Sequence, residues 1–146
     1  MFSEGPFDRP EIKPFEGRFR DRVEAADLEG APAAVILDCS TPDRIGGLGN
    51  SIRELRTLVS DHHASGENFG DARWVVPEAP SVTYLIQRLI EEWPERPTQE
   101  EAELLLFGLA RDTGFFRHLV ENSGFVFDAV ARLVDRGASP RRTYRM

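Results

Sequence analysis

A carboxylate and two imidazoles stand side by side at Asp61, His62 and His63, directly after the apolar stretch 57–60. Aspartate and histidine are common ligands of divalent cations in proteins. A motif this short also arises by chance, and a histidine pair at the end of a strand is equally explained by a hydrogen-bonded turn. The triplet therefore indicates a metal site only if further ligands approach it.

Two more aspartates follow apolar segments. Asp38 comes directly after the run 33–37, and Asp112 closes the segment that begins at Leu106. Taken singly, the first is equally explained as a loop cap and the second as a helix end. Together with imidazoles and without a thiolate, such carboxylates favour Mn²⁺ or Mg²⁺ over structural zinc. Cys39 is interpreted as a buried thiol, because the sequence has no Cys/His spacing typical of zinc sites.

Three apolar stretches predict strands that would hold these side chains. Residues 33–37 form an unbroken apolar run, which is typical of a buried parallel strand. Leu58 and Val59 predict the second strand, and residues 74–76 predict a short third one. The glycine-rich stretch 40–50 predicts a flexible loop over the site. Open α/β sheets bind their ligands beyond the carboxyl ends of their strands, where the first two acidic groups would lie.

Three amphipathic helices are predicted in the second half of the chain. The first is capped by Ser81, the second begins with the capping-box pair Thr98 and Glu101, and the last is closed by Gly137. The apolar stripes of these helices are interpreted as core. For the first and last helices the stripe residues are Val82, Leu85, Ile86, Leu89, Ile90, Phe125, Phe127, Ala129, Val130, Leu133 and Val134. The predicted class is α/β.

Size and charge limit the classes of function. A chain of 146 residues, 40% of them hydrophobic, is long enough for one ordinary domain with a core. Its formal net charge of -7 argues against broad electrostatic adhesion to nucleic acid or to an anionic membrane. The single cysteine excludes an internal disulfide, and no apolar run has the length of a signal peptide or a membrane span. The cytoplasm is the predicted compartment, with no membrane partner.

The three aspartate-containing segments together resemble the second, third and fourth motifs of the DHH phosphoesterase superfamily, in order, spacing and local sequence. The resemblance runs from about Ala33 to the C-terminus. Within the superfamily the chain looks most like the bacterial enzymes that trim very short RNA and dephosphorylate adenosine bisphosphate, which are relatives of the RecJ-type exonucleases and the family II inorganic pyrophosphatases. The resemblance implies a Rossmann-like DHH domain, with a mainly parallel sheet flanked by helices.

The resemblance also implies a role for each side chain of the motifs. Asp38 would bridge two metal ions, and His62 and Asp112 would be terminal ligands of the second ion. Asp61 would hold an imidazole in the correct tautomer through a hydrogen bond, and His63 would meet the phosphate. Manganese is the usual ion of the family. Two such ions activate a water for in-line attack at phosphorus.

Five other residues are expected near this chemistry. Thr113 and Gly114 would shape the turn that follows the last aspartate. Arg44, Arg117 and His118 are candidates for phosphate contact, although a solvated side chain explains each of them equally well.

Two parts of the family pattern are missing from this sequence. The family's first motif, a histidine followed by Asp-x-Asp, ends its first strand and holds most of the first metal, yet no Asp-x-Asp occurs here and no histidine precedes His62. The separate C-terminal substrate domain is also missing. We therefore expect a sheet without its first strand, at most one bound ion and a fragment of a longer protein. The expected divisions are an irregular N-terminal segment 1–32, a partial DHH domain 33–140 and the start of an interdomain linker 141–146.

Three functions remain open at this point. The first is a metal-dependent phosphoesterase that hydrolyses a phosphorylated small nucleotide or a short oligonucleotide, with an isolated chain of little or no activity. The second is a non-catalytic phosphate- or nucleotide-binding or assembly module with a degenerate metal site. The third is a metal-free α/β domain stabilised by partners. An exposed sheet edge would also make a homo-oligomer unsurprising.

Overall fold

The computed structural model describes residues 1–145. Its contacts divide the chain into two compact units, Met1–Val76 and the residues from Pro77 onward. The first unit contains a three-stranded sheet, and the second is built from helices. This division follows packing, whereas the boundaries expected at residues 32 and 140 concern the extent of the family domain and stay predictions.

The sheet of the first unit is parallel throughout, which confirms the predicted α/β class. Its strands are β1 (Ala34–Leu37), β2 (Thr57–Asp61) and β3 (Ala72–Val75), and they lie in the order β1-β2-β3. Leu37 lies opposite Ser60 in the register of β1 and β2. Because both strands run in the same direction and end at the same level, the residues that follow them meet at one edge of the sheet.

Strand β1 is less buried than its apolar sequence predicts. Ile36 is buried, whereas Val35 is 62% exposed and Leu37 is 49% exposed. The sequence predicted a strand buried on both faces, and that prediction is wrong for these two side chains. Among residues 1–145, β1 pairs only with β2, so its outer side is the edge of the sheet.

The segments around the strands are more regular than expected. The stretch predicted as a flexible loop contains a 3-10 helix, Pro42–Ile45, followed by the helix α2, Gly47–Ile52. Helix α2 follows the short N-terminal helix α1, Ala25–Leu28. Ile36, Cys39 and Val59 form the buried core of this unit, with Ile45, Ile52 and Phe69 packed against it. Ile45 from the 3-10 helix and Ile52 from α2 therefore pack against the core of the sheet.

The second unit contains four helices within the described residues. They are α3 (Val82–Glu91), α4 (Gln99–Asp112), α5 (Gly124–Asp135) and α6 (Pro140–Arg145). Two predicted caps are confirmed, because Ser81 Oγ accepts from the Tyr84 N–H at 3.0 Å and Thr98 forms a capping box with Glu101. The expected linker start at 141–146 falls on α6, except for Met146, which lies outside the described residues.

The core of the second unit is narrower than the apolar stripes suggested. Ala102, Leu105, Leu106, Leu133 and Ala138 form its buried cluster. The stripe predicted for α5 is partly wrong, because its Phe125, Phe127 and Val134 side chains are exposed and only three positions of the helix are buried. A helix presents about a third of its circumference to its neighbours, so apolar residues at the margins of a wide stripe remain in contact with water. No helix among the described residues has both the length and the apolar character to cross a membrane.

Truncating the core of α4 should destabilise the second unit strongly. Leu106 is 1% exposed, and we expect Leu106→Ala to lower the free energy of unfolding by about 3 kcal/mol because a cavity replaces its side chain. Leu89, in α3, is 42% exposed and provides a matched control. Urea unfolding followed by circular dichroism would measure both variants. Equal losses for Leu106→Ala and Leu89→Ala would contradict this assignment of the core.

Candidate metal centre

Asp38 takes up an unusual backbone conformation directly after β1. Its φ is 57°, in the left-handed region that aspartate tolerates better than most side chains other than glycine. Its N–H donates to the Ser60 carbonyl at 3.0 Å, so the end of β1 stays attached to β2 while the chain turns. In this position, Asp38 Oδ1 lies 3.8 Å from His62 Nε2 and 3.8 Å from His63 Nδ1.

The structure therefore brings together one carboxylate and two imidazoles of the first unit. One ligand atom each from Asp38, His62 and His63 lie within 4.8 Å of one another. Two ligands of one Mg²⁺ ion, each about 2.1 Å from it, are separated by at most about 4.2 Å. The 3.8 Å separation between Asp38 Oδ1 and His62 Nε2 meets this limit, and carboxylate oxygen and imidazole nitrogen are both ligands of divalent cations. These two side chains thus fit a single divalent cation.

Asp61 is the buried carboxylate behind the two histidines. Its Oδ1 accepts from the His62 N–H at 2.7 Å and from the His63 N–H at 3.1 Å, and it lies 2.7 Å from His63 Nδ1. Burial opposes ionisation of this group, but the hydrogen bond from the His63 ring and the two backbone N–H groups outweigh it. The pKa of Asp61 therefore lies below the ordinary range of an aspartate.

These bonds to Asp61 give the two imidazoles different functions. An ionised carboxylate only accepts hydrogen bonds, so His63 Nδ1 must carry the proton that it donates to Asp61. His63 Nδ1 then has no free lone pair for a cation, and the other ring nitrogen, Nε2, remains available. His62 Nε2 faces Asp38 instead. The arrangement leaves Asp38 and His62 as the pair best placed to bind a cation.

Asp112 belongs to the second unit, where it is the last residue of α4, and its part in the metal site stays a prediction. The turn after it has the tight form expected. Thr113 Oγ donates to the Leu109 carbonyl at 2.7 Å, and Gly114 has a φ of 59°, which glycine adopts without strain. Phe115 and Phe116 continue the turn, also with positive φ. The hydroxyl of Thr113 stabilises this turn by accepting from the Phe116 N–H at 3.2 Å.

The other expected side chains have varied surroundings. Arg44 is exposed in the 3-10 helix after β1. Arg117 Nε donates to the Gly114 carbonyl at 2.9 Å, and the His118 ring packs against Gly114, so both take part in the turn after α4. Contact of these three residues with phosphate stays a prediction. Cys39 is buried, its Sγ–H donates to the Thr41 carbonyl at 3.0 Å, and burial raises the pKa of its thiol, which agrees with a structural role.

Sequence reasoning missed two features of this centre. One is the left-handed backbone of Asp38, for which the only signal is that aspartate tolerates this conformation. The other is a close approach between Ser40 and Gly66, which follow the two ligand-bearing strands. Nothing in a polar loop sequence distinguishes such a glycine from one that only adds flexibility.

Comparison with known proteins gives two relevant similarities, although no protein-family profile matches the chain. The bifunctional oligoribonuclease and PAP phosphatase NrnA of Bacillus subtilis (strain 168) is 30% identical over 99 residues, which are 66% of this chain and 31% of the relative. A solved structure, an exopolyphosphatase-related protein from Bacteroides fragilis, aligns with a TM-score of 0.73 and 25% identity over 82% of this chain and 36% of that one.

The chain thus spans about a third of the length of each of these proteins. The structural similarity confirms the predicted Rossmann-like DHH fold, with its small parallel sheet and helices. The curated relative agrees with the resemblance carried by the segments around Asp38, Asp61 and Asp112. On these grounds the chain belongs to the DHH phosphoesterase superfamily.

Proposed function

We propose that this chain carries part of the active site of a metal-dependent phosphoesterase. Asp38 and His62 would bind the cation, with Asp112 as a further ligand, and His63 would contact the phosphate with Asp61 behind it. The observation that carries this proposal is the convergence of Asp38, His62 and His63 within 4.8 Å at the ends of two parallel strands. Membership of the superfamily, whose enzymes depend on metal ions, supports it.

Asp61 and His63 would act as a pair in this reaction. In its imidazolium form His63 has a proton on both ring nitrogens, and the buried Asp61 carboxylate pairs with that charge through the 2.7 Å contact with Nδ1. The Nε2–H of His63 can then donate to a phosphate oxygen. Mn²⁺ or Mg²⁺ would supply positive charge for the phosphate and lower the pKa of a bound water.

The number of ions proposed for this chain is one. A carboxylate and two imidazoles, one of them bound to Asp61, complete only part of one coordination shell, whereas the family uses two ions. This observation favours the second candidate function, a binding or assembly module with a degenerate metal site. Catalysis by the chain alone would accordingly be weak.

The proposed substrates are a phosphorylated small nucleotide and a short oligonucleotide. The support is the name of the curated relative, an oligoribonuclease and PAP phosphatase. We place the protein in the cytoplasm and propose that two copies can associate through the open edge of β1, where Val35 and Leu37 are exposed. Manganese is the proposed ion because it is the usual ion of the family and accepts carboxylate oxygen ligands such as that of Asp38.

Titration with Mn²⁺ during an assay of two substrates tests this proposal. Phosphate release from adenosine bisphosphate, or nucleotide release from a short oligoribonucleotide, should rise with saturation of the site. Saturable Mn²⁺ binding without any turnover would instead support the binding module. Failure to bind Mn²⁺ at millimolar concentration would contradict both and favour the metal-free domain.

A further inference from the structure

The loops that leave β1 and β2 are joined at a single point. The Glu67 N–H donates to the Ser40 carbonyl at 2.8 Å. Ser40 lies two residues after Asp38, and Glu67 lies four residues after His63. This contact therefore connects the chain just beyond the candidate carboxylate ligand to the chain just beyond the histidine pair.

Only glycine fits at position 66 in this arrangement. A Cβ built on Gly66 would lie 2.4 Å from the Ser40 carbonyl oxygen and 2.9 Å from Ser40 Cβ, separations that real side chains do not adopt. Gly66 does not have a positive φ, so its backbone conformation suits other residues. Steric exclusion is the reason for glycine here, and the excluded volume lies next to the acceptor of the Glu67 hydrogen bond.

The contact matters because Asp38 holds a costly conformation. A non-glycine residue in the left-handed region is destabilised and keeps that conformation only when its neighbours fix it. Two hydrogen bonds fix the backbone at Asp38. Its own N–H is bound to Ser60, and the Ser40 carbonyl is bound to Glu67. Loss of the second bond would leave the Asp38 carboxylate free to move away from His62.

We propose that Gly66 is a positioning residue that holds Asp38 at ligand distance from the histidines and thereby sets the affinity of the site for a divalent cation. The inference rests on the proposed function, because it assumes that Asp38 and His62 bind the cation. Gly66 itself would contact neither the cation nor the substrate.

The test compares Gly66→Ala with Gly17→Ala in the full chain. A Cβ on Gly17 meets nothing within 4 Å, so this variant adds the same methyl group to the same unit without a clash. Calorimetric titration with Mn²⁺ would give the dissociation constant of each protein. Amide hydrogen exchange of Glu67 would report the contact with Ser40, and thermal unfolding would report global stability.

We expect Gly66→Ala to weaken Mn²⁺ binding about tenfold or more, the size of effect seen when groups that orient a ligand are lost. The Glu67 amide should lose its protection while the melting temperature stays within a few degrees of the parent. Gly17→Ala should match the parent in all three measurements. If Gly66→Ala does not fold, Glu67→Pro removes the donor N–H without adding a side chain at position 66, and the same loss of affinity is expected.

Two results would overturn the inference alone: unchanged Mn²⁺ affinity in a variant whose Glu67 amide exchanges freely, or a loss of affinity fully accounted for by a fall in the folded fraction. Absence of Mn²⁺ binding by the parent chain would overturn the proposed function and the inference with it. If Asp38→Asn binds Mn²⁺ as tightly as the parent does, the ion binds elsewhere. That result would also overturn the proposed function and the inference.

Discussion

Replacing His62 by alanine should abolish saturable Mn²⁺ binding and, with it, any phosphate or nucleotide release. His62 Nε2 faces Asp38 Oδ1 at 3.8 Å, whereas Nδ1 of His63 is bound to Asp61. Removing His62 takes away one of the two ligands that the first unit is proposed to supply, and the remaining carboxylate ligation binds a hydrated divalent ion only weakly. Loss of a group that merely orients a ligand lowers metal affinity about 10–100-fold, so loss of the ligand itself should exceed about 100-fold.

Calorimetric titration and the release assay would measure the His62→Ala effect. The matched control for binding is His118→Ala, because His118 lies in the second unit in contact with Gly114 and is the one histidine outside the triplet. His118→Ala should bind Mn²⁺ with the affinity of the parent. Retention of tight binding by His62→Ala, or an equal loss in both variants, would contradict the assignment.

Asp61→Asn should lower turnover about 10²–10³-fold, the range for loss of one donor to the negative charge of the transition state, while Mn²⁺ binding is less affected. The amide has nearly the same shape as the carboxylate but no charge, so it cannot stabilise the imidazolium of His63. Stability should fall by about 1–3 kcal/mol as well, because the buried carboxylate of Asp61 accepts three hydrogen bonds. Steady-state kinetics and urea unfolding would measure the two effects.

The stability difference between the parent and Asp61→Asn should depend on pH in a defined direction. The pKa of Asp61 is lower in the folded protein than its ordinary value of about 3.9. The stabilisation is therefore complete above about pH 4 to 5 and is lost as the pH falls through the lower, folded pKa. Urea unfolding at pH 7 and near pH 3 should show a large gap that narrows in acid. A gap that widens in acid would contradict an ionised, hydrogen-bonded Asp61.

The neighbourhood of Asp38 and His62 could be predicted from the sequence because it follows from the geometry of parallel strands. Two apolar runs that end in polar residues predict strands, and parallel strands bring their carboxyl ends to one edge of a sheet. The helix starts at Ser81 and Thr98 could also be predicted, because a helix cap depends on a few residues that are adjacent in sequence.

The finer arrangement of the site could not be predicted, because it depends on distances that adjacent residues in sequence do not encode. Whether Asp61 binds the first or the second imidazole is decided by a 2.7 Å contact with His63 Nδ1. The close approach of Ser40 to Gly66 joins residues far apart in the chain. Both depend on tertiary packing rather than on local preference.

The exposure of individual apolar side chains could not be predicted from the sequence either. Periodicity identifies the face of α5 that turns inward, yet it does not set the width of that face, so Phe127 was assigned to the core although it is 53% exposed. Val35 is exposed because successive side chains of a strand point to opposite faces, and it lies on the face of β1 opposite to that of the buried Ile36. An unbroken apolar run does not indicate which face of its strand is covered.

The left-handed conformation of Asp38 should make this position respond in opposite ways to two kinds of directed evolution. A library at position 38 screened only for heat resistance should enrich glycine, which relieves the unfavourable φ of 57° and leaves the strand end intact. Screening the same library for retention of manganese should return aspartate. Divergence of the two outcomes would identify a residue kept for chemistry at the expense of folding.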